Sequence, residues 1–179
     1  LGFARRFSTY KRADLIFDDI DRLADILLRK NQPVNFLFAG KAHPSDEPGK
    51  SVLKLILDNQ EQLYRRSKGL GKLISIPGYD MLVAKFMVAG VHAWLNNPKR
   101  PLEASGTSGM KAALNGVPNI SVMDGWWVEG YHEGLTGWKF GYEGPVDEAD
   151  LSEDPDALLY TEDSNAFYEL LPTILDLFY

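Results

Sequence analysis

The feature that most constrains this chain is an alternation along its first 123 residues. Short apolar runs of strand length are separated by longer stretches with apolar residues at helical spacing. Residues 1–4 read as the end of a strand, and residues 34–39, 73–76, 91–95 and 119–123 as four more. Between them, Ile16, Ile20, Leu23 and Leu27 mark one helix face. Leu53, Ile56, Leu57, Gln60, Leu63 and Tyr64 mark a second, closed by Gly69 and Gly71. A third helix is expected over residues 80–89, and a fourth from near Gly106 to the stop signal of Asn115 and Gly116. Consecutive strands joined through helices run parallel and are covered on both faces, so the expected class is α/β with a doubly wound parallel sheet. Residues 124–163 read as irregular and residues 165–178 as a helix interrupted by Pro172.

In such a sheet, ligands sit in the loops beyond the C-terminal ends of the strands. Two of those loops are chemically loaded. The first, RRFSTYKR at residues 5–12, packs Arg5, Arg6, Lys11 and Arg12 into eight positions. That density of cations calls for an anion, and bidentate arginines with a point-charge lysine suit a phosphate dianion. The pI near 5.1 argues against nucleic acid. The second loop, EASGTSGMK at residues 103–111, is a turn of small residues opening a helix, with Lys111 within about one turn. Backbone N–H groups exposed there cradle phosphate, and a lysine beside them can capture an aldehyde cofactor. A plain helix cap with a surface lysine is the other reading of that stretch.

Charge is distributed unevenly. All 19 Lys and Arg residues lie at or before Lys139, while residues 140–179 hold 11 acids and no base. Such a tail is expected to be a solvated surface segment. There is no cysteine, no run of apolar residues of membrane-spanning length and no recognisable signal peptide, as expected for a cytoplasmic protein. Neither end reads as a natural terminus, so a piece of a longer protein is expected. Several decoys fall away. Gly49-Lys50-Ser51 ends like a P-loop, but Pro44 stands where its first glycine must be. Asp19 and Asp21 lie on an acidic helix face, and His43, His92 and His132 are too scattered for a metal site.

Together the two loaded loops resemble those of the α-glucan (glycogen and maltodextrin) phosphorylases, in which Glu-Ala-Ser-Gly-Thr leads to Met-Lys and a basic pair precedes Tyr-Lys-Arg. The related sugar-nucleotide glycosyltransferases carry a second Glu where Lys111 stands here. AGKAHP at residues 39–44 resembles the family's strand-end Gly-Lys-Ala segment. MDGWWVEGY at residues 123–131 resembles the bacterial and archaeal branch. The resemblance spans about residues 1–141 and implies a Rossmann-like C-terminal lobe of a two-lobed glycosyltransferase fold. Residues 1–179 would form one domain, with residues 142–179 an acidic loop and helix. It implies phosphorolysis of α-1,4-glucan by inorganic phosphate, with retention, releasing glucose 1-phosphate.

The resemblance also assigns roles. Lys111 anchors pyridoxal 5'-phosphate, with Arg5, Tyr79, Gly106, Thr107 and Ser108 around the cofactor. Arg6 and Lys11 bind the substrate phosphate; with Lys111 they are the expected catalytic residues. Glu103, Ser105 and Gly106 contact the transferred glucose. The missing N-terminal lobe would complete the site, so the fragment alone is expected to be inactive and to hold cofactor weakly or not at all. A homo-oligomeric full enzyme is compatible with this. A sugar-nucleotide transferase of the same fold and a non-catalytic sugar- or phosphate-binding domain are the alternatives.

Overall fold

Successive residues of a strand point to opposite sides, and β-strand stretches such as residues 2–4, 94–96 and 119–122 are buried at every position, as a sheet covered on both faces requires. In the computed structural model, which describes residues 1–29, 31–144 and 155–179, six strands form one parallel sheet. They are β1 (Gly2–Ala4), β2 (Asn35–Ala39), β3 (Lys72–Ile76), β4 (Trp94–Asn96), β5 (Asn119–Val122) and β6 (Gly137–Phe140). Their order is β3-β2-β1-β4-β5-β6, every neighbouring pair parallel. This is the Rossmann-like topology. Its direction of winding reverses between β1 and β4, which opens a crevice at their C-terminal ends.

On one face, Phe3, Phe36, Phe38, Leu95 and Ile120 pack against helices α1 (Ile20–Leu27), α2 (Glu47–Arg66) and α6 (Pro155–Phe178). Phe3 stacks on Phe38 with ring centroids 4.8 Å apart. Truncating a fully buried ring such as Phe36 to alanine costs about 3–5 kcal/mol. On the other face, Ala4, Ala39 and Trp94 pack against α3 (Met81–Gly90) and α4 (Ser108–Leu114). Helix starts are set by aspartates: Asp19, Asp46 and Asp80 accept from the backbone N–H of Arg22, Gly49 and Val83, each at 2.9 Å. Such caps are worth about 1 kcal/mol each. Asp21 pairs with Arg66, so the Asp19 and Asp21 carboxylates serve the helix and its neighbour.

Three expectations are corrected. Residues 124–163 are not irregular throughout: they hold a helical turn, α5 (Trp127–Gly130), the sixth strand β6, and the first turns of α6. β6 is hidden in the sequence because it opens on Gly137, whose place beside the Asn119 carbonyl, 2.0 Å from a built Cβ, admits no side chain. α6 begins ten residues earlier than its apolar pattern and runs through Pro172. The acidic loop expected after residue 142 falls largely outside the described residues. The acidic segment is also not simply solvated: Asp163 is buried. Among the described residues, no helix is long and apolar enough to cross a membrane.

Candidate active site

The loop leaving β1 turns at the crevice because Phe7 is buried, with its N–H donating to the Lys41 carbonyl at 3.1 Å. Gly40 permits this approach: a Cβ there would lie 2.2 Å from the Arg5 carbonyl and 2.8 Å from the Phe7 ring. Anchoring at Phe7 sends the two preceding arginines opposite ways. Arg5 points inward. Its Nη2 donates to Asn96 Oδ1, its Nη1 lies 3.5 Å from Glu103 Oε2, and its guanidinium stacks 5.4 Å from the Phe3 ring centroid. Burial pushes the Arg5 pKa down, and the Glu103 charge opposes that shift. Arg5 Nε is buried with no protein partner. Arg6 points outward into solvent.

A 3-10 turn, Thr9–Lys11, carries Lys11 back over the crevice. Lys11 Nζ pairs with Glu103 Oε2 and lies 4.5 Å from the Tyr10 ring centroid. Glu103 therefore joins the two loaded loops. Its own N–H donates to Asp124 Oδ2 at 3.0 Å, and Trp126 N donates to the Ser105 carbonyl at 2.9 Å. Gly106 adopts φ +72°, a conformation that disfavours other residues, and turns the chain into α4. Helix α4 opens at Ser108, two residues after Gly106, and its seven residues give only a short dipole, so any anion there depends mainly on individual N–H groups. Thr107 makes no side-chain cap. Lys111, one turn along, is exposed, with Nζ 3.5 Å from Thr107 Oγ1.

These pieces enclose a cleft of about 670 Å³. Arg5, Arg6, Lys11, Tyr79, Gly106, Thr107, Ser108 and Lys111, all singled out from sequence, line it together. Glu103 and Ser105 line a smaller adjoining cavity that shares Arg5, Gly106 and Ser108 with the cleft. Tyr79 is half-buried; burial pushes its phenol pKa up while the Arg5 charge pulls it down. Arg12 departs from the sequence reading. It turns away from the anion side and is buried against Asp163.

Sequence reasoning missed the opposite wall of the cleft, where α3 presents Met81, Ala84, Lys85 and Val88 and α4 adds Leu114. Met81 and Leu114 are 90% and 87% exposed, so neither is the core residue its helical spacing suggests. It also missed Asn96, the partner of Arg5. Two asparagines directly after an apolar strand were the available signal. Five cations thus line the cleft, and among the described residues no Asp or Glu does.

A model of the family described as carbohydrate phosphorylase matches residues 3–140. The maltodextrin phosphorylase of Thermococcus litoralis is 52% identical over 88% of this chain and 19% of its own length. The glycogen phosphorylase of Aquifex aeolicus is 48% identical over 84% of this chain and 21% of its own. That of Mycobacterium tuberculosis is 41% identical over 96% and 18%. The chain spans about a fifth of the length of these curated relatives. The matched stretch holds every residue that lines the cleft, and on this match and these identities the chain belongs to the carbohydrate phosphorylase family.

Proposed function

We propose that this chain is part of an α-glucan phosphorylase, which cleaves α-1,4-glucan with inorganic phosphate, with retention, and releases glucose 1-phosphate. The observation that carries the reading is the convergence of Arg5, Arg6, Lys11 and Lys111 on one cleft beside the Gly106 turn, which no Asp or Glu lines among the described residues. The named activities of the relatives point the same way.

The cleft also fits pyridoxal 5'-phosphate. Its volume lies within the roughly 300–1,000 Å³ typical of ligand pockets. Its apolar wall of Met81, Ala84, Val88 and Leu114 suits a ring, and its cations suit a phosphate. Lys111 would anchor the cofactor. Arg5, with a buried donor lacking a protein partner, would hold its phosphate together with the Thr107 and Ser108 turn, and Tyr79 would flank the ring. When bound, the cofactor supplies a phosphate group with a second pKa near ~6, able to exchange a proton with inorganic phosphate.

The chain's own residues do the rest. Arg6 and Lys11 bind the substrate phosphate and stabilise the charge that develops at the sugar, in a setting where fixed cations act more strongly than in water. Glu103 holds Lys11 and Arg5 in position and, with Ser105 and Gly106, meets the transferred glucose. Lys111, where related transferases carry Glu, favours phosphorolysis over a sugar-nucleotide reaction. The cysteine-free sequence is compatible with work in the cytoplasm. The 179-residue chain alone would be inert, because half a cleft cannot position two substrates.

The test uses the full-length protein. It should release glucose 1-phosphate from maltoheptaose and phosphate, and Lys111→Ala should abolish both release and stable cofactor incorporation. Borohydride-trapped cofactor mapping to another lysine would overturn the assignment.

A further inference from the structure

The basic loop is held from behind by a residue beyond the stretch that the family model matches. Arg12 closes the 3-10 turn in the left-handed region, φ 48° and ψ 48°, a conformation that costs a non-glycine residue energy unless its surroundings fix it. They do so here. Arg12 Nε donates to the Asn97 carbonyl at 2.9 Å, and Nη2 donates to the Pro98 carbonyl at 2.9 Å and to Asp163 Oδ2 at 2.5 Å. Asn97 Nδ2 returns a bond to the Arg12 carbonyl at 2.6 Å, and Lys99 N donates to the Tyr10 carbonyl at 2.7 Å. The other oxygen of Asp163 accepts from Tyr142 N at 2.7 Å.

Both side chains of the pair are about 95% buried, at 5% and 4% exposure. The matched stretch ends at residue 140, so Asp163 comes from outside it, on α6. Neither Arg12 nor Asp163 lines the cleft or the adjoining cavity. Arg12 is nevertheless the residue after Lys11, and Asn97 and Pro98 begin the connection that reaches Glu103. Arg12 thus ties together the two loops whose cations and acid meet at Lys11 and Glu103, and one carboxylate on α6 holds Arg12.

We propose that Asp163 is a positioning residue for the anion-holding loop: through Arg12 it fixes where Lys11 stands, and so sets affinity for inorganic phosphate rather than for glucan. The proposal rests on the reading of the cleft as a phosphate site. Its second residue is Arg12, which the guanidinium fork makes irreplaceable by lysine.

The experiment is steady-state phosphorolysis by the full-length enzyme, varying phosphate and glucan separately. Asp163→Asn keeps the shape and removes the charge. It should raise KM for phosphate about 10- to 100-fold, the size of loss that follows when the outer partners orienting a metal ligand are removed. KM for glucan should stay within about twofold, and Arg12→Lys should reproduce the pattern. A wild-type enzyme that releases no glucose 1-phosphate sinks the proposed function before any variant is read. An active wild type with an unchanged phosphate KM in Asp163→Asn, or with both KM values rising together, overturns the positioning role. If Asp163→Asn does not fold, Asp163→Glu decides, since it keeps the charge but moves it by one methylene. A selective rise in phosphate KM supports the proposal, and a wild-type value overturns it. Failure of both variants to fold also overturns it, because the pair would then be holding the fold and not aiming the loop.

Discussion

The two walls of the cleft hold their charges in opposite ways. On the β1 wall, Arg5 and Lys11 are nearly buried, with side chains 9% and 12% exposed, and share the carboxylate of Glu103. On the outer side, Arg6 and Lys111 stand in solvent: among the described residues the Lys111 ammonium has Thr107 Oγ1 as its one hydrogen-bond partner, and Arg6 has no hydrogen bond or ion pair. The first arrangement is preorganised, with orientation fixed during folding. The second leaves its cations to be engaged by what binds the cleft. Substitutions on the inner wall should therefore register in stability and those on the outer wall in binding.

The largest effect on stability is expected at Glu103. Glu103→Gln leaves two nearly buried cations facing each other without their carboxylate. Breaking a buried charge pair on one side costs about 3–5 kcal/mol, and the small remaining exposure sets the expectation at the lower end. Urea unfolding should report the loss. Millimolar phosphate should restore more stability to the variant than to the wild type, because an anion can replace the missing charge. A loss under about 1 kcal/mol would mean the inner wall is as solvated as the outer one, and the contrast would fail.

Arg6→Ala should behave in reverse. An exposed side chain with no partner contributes within about 0.5 kcal/mol to stability, so the unfolding midpoint should hardly move. Phosphate binding should weaken by about 10- to 100-fold, since hydrogen bonds to a charged group are worth about 1.5–3 kcal/mol. Phosphate dependence of turnover in the full-length enzyme measures it. An unfolding shift as large as that of Glu103→Gln, with unchanged phosphate kinetics, would interchange the roles of the two walls.

The inner wall was also the more legible from sequence. Arg5, Lys11, Glu103 and Gly106 sit in short motifs whose local chemistry declares an anion site, and the strands that present them are short apolar runs, buried at every position. What stayed hidden depends on distance along the chain. Arg12 reads as a fourth anion ligand until a backbone turn at φ 48° and a partner 151 residues away bury it. Asp163 reads as one acid among many, because burial of a single carboxylate leaves no periodic trace. The α3 wall stayed hidden because Met81 and Leu114 have the composition of core residues and yet are exposed. β6 escaped because a strand that begins on glycine and carries Lys139 between Trp138 and Phe140 lacks the short apolar run by which the others are read.

The smallest effect tests how far the inner wall's burial extends beneath the loop. Asp14 follows Arg12 and Ala13, and burial pushes its carboxyl pKa up. A hydrogen bond from its own backbone, one from Tyr160 and the Arg12 charge act against that shift. Burial and the neighbouring acids Asp14 and Asp18 in turn hold the Tyr160 phenol above its usual range. A carboxyl whose folded pKa exceeds its unfolded one binds its proton more tightly in the native state. Its favourable contribution is full below the unfolded value near ~3.9 and is lost as pH rises through the folded value. Asp14→Asn is uncharged at every pH and can still accept from Tyr160. Relative to wild type it should be neutral near pH 3 and more stable at pH 7 by under about 1 kcal/mol. Arg6→Ala, on the solvated side, should show no such drift between the same two pH values. Urea midpoints of the three proteins at pH 3, 5 and 7 supply the comparison. A stability difference between Asp14→Asn and wild type that stays flat, or that turns against the variant as pH rises, would show that water reaches beneath the loop and that the dry inner wall ends at Arg12.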